Sequence, residues 1–308
     1  MVSDPRRTVY NTARIAVGGA FVLILAGALV TSRDAGLSVP DWPLAFGQIN
    51  PPGWWRIESV RTEHGHRILA FLVALWTAFL TWRVFRFDDR SLARRLAASG
   101  ALLLIVQALL GGLRVLRLSV DLAMVHGLLG QIFFALLTAL AIVTAPDWET
   151  RQRVPATPRE RRLTTALVAT VVVQLGFGIY IRHLGAAAHP LSGTWMYYAH
   201  IGIAGIVLSI ALDLHRKSDP ASRPSGALLI STVVAQIALG IATYLVTEPM
   251  THDRAATMLQ AWVPAFHVGF GAAILGMSTM RWLEARRDRL ALPAWRRPVR
   301  PLRRGAAV

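Results

Sequence analysis

The sequence predicts an all-α integral membrane protein, with eight transmembrane helices arranged as two parallel four-helix-bundle repeats and both termini cytoplasmic. Three observations predict it. Only 16% of the 308 residues are charged while 54% are hydrophobic, against about 25% charged in ordinary soluble domains. Eight windows free of Asp, Glu, Lys and Arg recur along the chain, and at about 20 residues per bilayer crossing, eight helices need roughly 160 apolar residues, close to what the composition holds. The basic residues gather in alternate loops.

The windows run in order over 15–32, 68–82, 96–113, 122–146, 163–181, 184–212, 224–247 and 255–280. The second extends a helix expected to begin near Glu63, and the sixth helix is expected to begin near Trp195. The first is too long for a signal sequence and no small-residue cleavage site follows it, so a retained span is expected. With the N-terminus inside, the inner segments carry 25 of the 33 Lys+Arg, which fixes the orientation by the excess of positive charge on the cytoplasmic side. The chain divides into a first four-helix half, 1–146, a cytoplasmic linker, 147–162, a second half, 163–282, and a basic tail, 283–308, suited to anionic lipid headgroups.

The net charge of +16 would suggest nucleic acid in a soluble protein. In a membrane chain it reflects cytoplasmic loops, so the expected partner is the lipid bilayer and not nucleic acid. Cysteine is absent, which excludes disulfides, thiolate metal sites, iron–sulfur clusters, covalent haem attachment through Cys-x-x-Cys-His and a Cys nucleophile.

The two halves share a pattern. Gln107-Ala-Leu-Leu-Gly111 lies in the third helix and Gln236-Ile-Ala-Leu-Gly240 in the seventh. One histidine falls in the outer part of each even-numbered helix: His66, His126, His200 and His267. They are 60 residues apart in the first half and 67 in the second. Four helices per repeat preserve topology, so the halves are parallel repeats about an axis along the membrane normal. A lone histidine in a membrane helix is most simply a helix–helix hydrogen bond. Two matched pairs instead suit imidazoles from different helices bracketing a haem iron, giving two haem pockets toward the outer face. The other five histidines, including His64 and His183, read as solvated or interfacial.

The first half has an additional feature, Glu63-His64-Gly65-His66-Arg67. Glu63 and His66 lie about 60° apart around a helix, so the carboxylate would stand near the haem edge, able to accept a proton or stabilise developing positive charge. A carboxylate favoured by the helix dipole is the simpler alternative. Arg67 can pair with a haem propionate or snorkel to the interface.

With Glu63-x-x-His66-Arg67, His126, His200, His267 and the segment Gly36-Leu37-Ser38-x-Pro40-Asp41-Trp42-Pro43 after the first helix, the chain resembles the haem A synthase family from about residue 15 to 282. The resemblance implies oxidation of the C8 methyl of haem O to the formyl group of haem A, by successive hydroxylations, for cytochrome oxidase biogenesis in a bacterial inner membrane. It implies that His66 and His126 flank the substrate haem, that His200 and His267 ligate a permanent haem b, and that Glu63 is the catalytic carboxylate. Many bacterial members carry a cysteine pair in the first outer loop, and this chain has none. The electron acceptor, the oligomeric state (a homo-oligomer included) and delivery by haem O synthase are left open. Two alternatives stand beside this reading: a di-haem b-type cytochrome that oxidises a quinol, and a transporter or assembly factor with structural histidines.

Overall fold

The computed structural model describes residues 4–150, 155–184, 190–217, 223–247 and 256–290. His189, His252, the middle of the linker and the tail beyond residue 290 lie outside the described residues. Among the described residues there are eight long helices: α1 (Pro5–Ser32), α2 (Glu58–Phe87), α3 (Ser91–Leu116), α4 (Val120–Thr144), α5 (Pro158–Leu184), α6 (Pro190–Arg216), α7 (Arg223–Thr247) and α8 (Met258–Glu284). A short α9 (Arg287–Leu290) follows. All eight are long and apolar enough to cross a membrane, and large apolar side chains such as Phe71, Leu72, Leu102 and Ile105 point outward, where a bilayer would cover them. The molecule is a multi-pass membrane protein.

The charge-free windows understate the helices at their ends. α1 begins at Pro5, with the Asp4 side chain accepting from the Arg6 N–H at 3.0 Å and proline in its first turn, a favoured start because proline brings no donor. It thus includes Arg6, Arg7 and Arg14, whose long stems let charged heads reach the interface from within a helix. α2 begins at Glu58, five residues before the expected start.

Burial follows helical spacing. Val9, Thr12, Ala13, Ala16 and Ala20 form one buried stripe of α1, and their small size lets neighbouring backbones approach closely. α4 and α8 are the most enclosed helices, with 56% and 44% of their apolar windows buried against 11–22% elsewhere. α1, α4 and α8 pack on one another, and α5 joins them by packing on α8 and α4. One core cluster gathers α1, α2, α3, α4 and α8 around Leu80, Leu137 and Leu140. A second gathers α5, α6, α7 and α8 around Leu167, Leu229 and Leu275.

Polar side chains fix the two ends of the bundle. At one end the buried Asp88 binds Arg90 through both oxygens at 2.9 and 2.5 Å, and Arg90 reaches the Thr144 carbonyl at 3.3 Å, closing the α2–α3 turn onto the end of α4. At the same end Arg286 donates to the Arg161 carbonyl at 2.6 Å and to Thr164 at 3.1 Å, tying α8 to α5. At the other end, residues 33–57 fold back over α2 and α3, with Val39 and Ala45 buried.

Candidate functional site

The four even-helix histidines share one local geometry. Each places the Cε1 corner of its ring against a glycine of the preceding odd helix. A Cβ added at the glycine would lie 3.0 Å from Cε1 for Gly27 against His66, 3.2 Å for Gly111 against His126, 3.0 Å for Gly178 against His200 and 3.1 Å for Gly240 against His267. Glycine is needed because any side chain there would press on the ring. In all four rings Nδ1 is buried with no hydrogen-bond partner among the described residues. His64 and His215 share that unpartnered Nδ1; what sets the four apart is the glycine seat of each ring on the preceding odd helix.

In the second half the rings of His200 and His267 have centroids 6.3 Å apart and planes inclined at 63°. Imidazole nitrogens hold a metal at about 2 Å each, so two rings sharing one ion stand roughly 6 Å apart, centroid to centroid. The pair therefore fits a haem iron held from both sides. Four residues before each seating glycine stands a glutamine whose amide nitrogen lies beside the ring Nε2: Gln174 at 3.3 Å from His200 and Gln236 at 3.5 Å from His267.

In the first half His126 lies close enough to His66 to act on it electrostatically, but the two make no comparable ring contact among the described residues. Gln107, four residues before Gly111, donates to the His126 backbone carbonyl at 3.1 Å and not to the ring. The matching position before Gly27 is Leu23. Both rings of the first pocket are thus free of glutamine. Among the described residues no group of three or more His, Cys, Asp or Glu side chains converges, so the metal chemistry on offer is imidazole in pairs.

Glu63 is 3% exposed. Its Oε2 accepts the Val39 N–H at 2.9 Å and its Oε1 accepts from Arg67 at 2.7 Å. The Arg67 guanidinium also donates to the carbonyls of Val39 at 2.9 Å, Asp41 at 2.7 Å and Leu44 at 3.2 Å. With three loop carbonyls and Glu63 as acceptors, Arg67 ties α2 to the 33–57 loop. Arg114 reaches the same loop from α3, donating to the Gly36 carbonyl at 2.9 Å, and the Trp42 ring fills the space where Gly112 lacks a side chain. Asp41 closes the loop tip, accepting the Phe46 and Gly47 N–H groups at 2.7 Å each. These bonds, led by that of Gly47, hold its carboxyl below the ordinary value. Residues 46 and 47 have positive φ, 52° and 74°, which the two bonds help to hold.

His64, read from the sequence as solvated, is 4% exposed. Its ring stands edge-on to Trp54 with centroids 5.1 Å apart, and Nε2 meets Asn50 at 3.1 Å. It faces the loop and not the pocket, as its two-residue offset from His66 implies. The sequence reading missed the glycine seats, Gln174, Arg114 and Arg182. The repeated Gln-x-x-x-Gly spacing was the available signal: it also occurs in α5, at Gln174 and Gly178.

No protein-family model matches the chain. It is similar to curated proteins named heme A synthase. One from Listeria welshimeri is 30% identical over 138 residues, 44% of each chain. One from Listeria monocytogenes is 31% identical over 140 residues, again 44% of each. One from Alkalihalophilus pseudofirmus is 27% identical over 195 residues, 61% of this chain and 65% of the relative. The chain thus matches less than half the length of the first two and about two thirds of the third. By sequence, this chain is similar over part of its length to bacterial proteins named heme A synthase.

Proposed function

We propose that this protein oxidises the C8 methyl group of haem O to the formyl group of haem A, with the first pocket holding the substrate and the second a resident haem b. What carries this reading is the fourfold recurrence of an imidazole on a helix glycine, two per half, with one pair at a separation that suits a shared iron. The two halves are read as parallel repeats, with the pockets toward the outer face of a bacterial inner membrane.

His66 and His126 are assigned to the iron of haem O. They fix the porphyrin in depth, while the substrate's farnesyl tail leaves between helices into lipid. His200 and His267 are assigned to haem b, which when bound would supply a one-electron relay. Glu63, one turn before His66, is assigned to receive protons as methyl C–H bonds are broken. Each of its oxygens retains a lone pair beyond the bonds it already accepts. Arg67 holds that carboxylate against the loop that covers this end of α2. The conversion is R–CH3 + H2O → R–CHO with four protons and four electrons released: water supplies the formyl oxygen, Glu63 passes on the protons, and an external acceptor takes the electrons.

The test is to supply haem O to the purified, membrane-reconstituted protein with an artificial electron acceptor and to separate the haems by chromatography. Haem A, with the alcohol as intermediate, is the expected product. Recovery of haem O unchanged from protein that carries haem b would overturn the proposal in favour of a quinol-oxidising cytochrome.

A further inference from the structure

Arg114 and Arg182 stand apart from the other arginines at the loop-bearing end of the bundle. Arg33 pairs with Glu58 at 3.1 Å and Arg67 with Glu63 at 2.7 Å. Arg114 and Arg182 make no ion pair among the described residues, although both are part-buried. Arg114 spends one Nη2 bond on the Gly36 carbonyl. Arg182 spends its Nη2 on the Ala28 carbonyl and on Ser32, both at 2.7 Å, reaching from α5 across to α1. For each, Nη1 and Nε have no acceptor among the described residues. A guanidinium carries five donors, so each retains a fork able to bind a carboxylate.

Their placement is matched to the pockets. Arg114 follows Gly111, the seat of His126, by three residues, and Arg182 follows Gly178, the seat of His200, by four. Residues three and four apart share a helix face, so each cation lies about one turn, some 5 Å, beyond an imidazole seat. Arg182 contacts the loop-facing end of α1, so both point to the same end of the bundle. Arg114 is close enough to act electrostatically on both His66 and His126, and Arg182 on His267. Each pair thus has beside it an arginine with donors to spare: Glu63 acts on Arg114 through space but makes no hydrogen bond to it, and Arg182 has no carboxylate partner among the described residues. A desolvated cation without an anion is costly. A ligand bringing ionised carboxylates to that edge would remove the cost.

Resting on the haem reading above, we infer that Arg114 and Arg182 bind the propionate carboxylates of the haems, Arg114 in the first pocket and Arg182 in the second, while Arg67 serves the loop. The chemistry is charge-assisted pairing of guanidinium with carboxylate, and it sets which way round each porphyrin enters.

The test uses the full chain in detergent, stripped of haem and titrated, by the Soret band, with haem b or with its dimethyl ester, whose carboxylates are blocked. The wild type should bind the diacid roughly tenfold or more tightly than the diester, the scale of one charged hydrogen bond. R182Q and R114Q should each lose part of that preference and together most of it, and R182K should keep more than R182Q. Equal wild-type affinity for diacid and diester overturns the inference while leaving haem binding intact, and this comparison needs no variant. An undiminished preference in the folded double variant overturns it equally. No protein-dependent shift of the Soret band with either probe overturns the haem reading and the inference with it.

Discussion

The two pockets are built on one plan and equipped differently. In both, an imidazole from each even helix rests on a glycine of the helix before it. The second pocket adds a glutamine amide beside each Nε2 and brings the rings to 6.3 Å. The first has leucine at one glutamine position, turns the other glutamine to a backbone carbonyl, and adds a buried carboxylate and a pinned loop. The difference teaches where polar groups have been added around a shared imidazole-on-glycine arrangement. A resident cofactor needs a site that stays closed, and a substrate needs one it can leave. The buried carboxylate proposed to accept protons and the pinned loop both occur beside His66, in the pair assigned to substrate.

The largest expected effect comes from removing a ligand. H200A or H267A should empty the second pocket of haem b, and H66A or H126A should remove haem O and haem A while sparing haem b. Pigment extraction from each variant checks this. Equal loss of all haems in the four variants would erase the distinction between the pockets.

Next comes E63Q. It should keep both haems and slow haem A formation by roughly 10²-fold or more, the usual worth of a general acid–base group. A group that only capped the helix would cost at most about 1 kcal/mol of stability and leave turnover intact. Turnover per haem-loaded protein separates the two. Because Glu63 also holds Val39 and Arg67, protease sensitivity of the 33–57 loop should be measured alongside.

A smaller effect is expected at the glycine seats. An added methyl at Gly27 or Gly111 must push its imidazole back by a few tenths of an ångström, as must one at Gly178 or Gly240. G27A and G111A should therefore weaken retention of haem O alone, and G178A and G240A that of haem b alone. Competition with a haem-scavenging globin reads each loss rate. Effects crossing between pockets would blur the comparison.

The smallest effect concerns pH. Asp41 is held below its ordinary carboxyl value. Its contribution to loop stability is therefore full above the unfolded value near 3.8 and is lost as pH falls through the lower folded value. Protection of the Phe46 and Gly47 amides, relative to their intrinsic exchange rates, should be high at neutral pH and fall only in strong acid, whereas in D41N it should be lower and independent of pH.

Much of this was legible in the sequence because a bilayer is a severe filter: charge-free windows located all eight spans. Their ends were less legible. Arginine heads tolerate a helix that continues past the apolar core, as in the first turns of α1. The four histidines and Glu63 stood out because polar side chains in spans are rare. The glycine seats did not, since glycine is common in membrane helices and its role depends on which ring lies across from it. The partners of Arg67 were hidden for a similar reason. They are loop carbonyls brought in by chain reversal between α1 and α2, which no spacing rule reports. His64 carried no mark of its burial, because the Trp54 and Asn50 that cover it come from that same loop.

The most direct test of two unlike pockets on one scaffold is the identity of the haem lost with each pair. Protein co-produced with a source of haem O should yield haem b together with haem O or A. The H66A/H126A double variant should yield haem b alone, and the H200A/H267A double variant should yield haem O with little haem b. Haem b as the sole pigment of the wild type, falling by half in either double variant, would contradict the account and make both pockets resident cofactor sites.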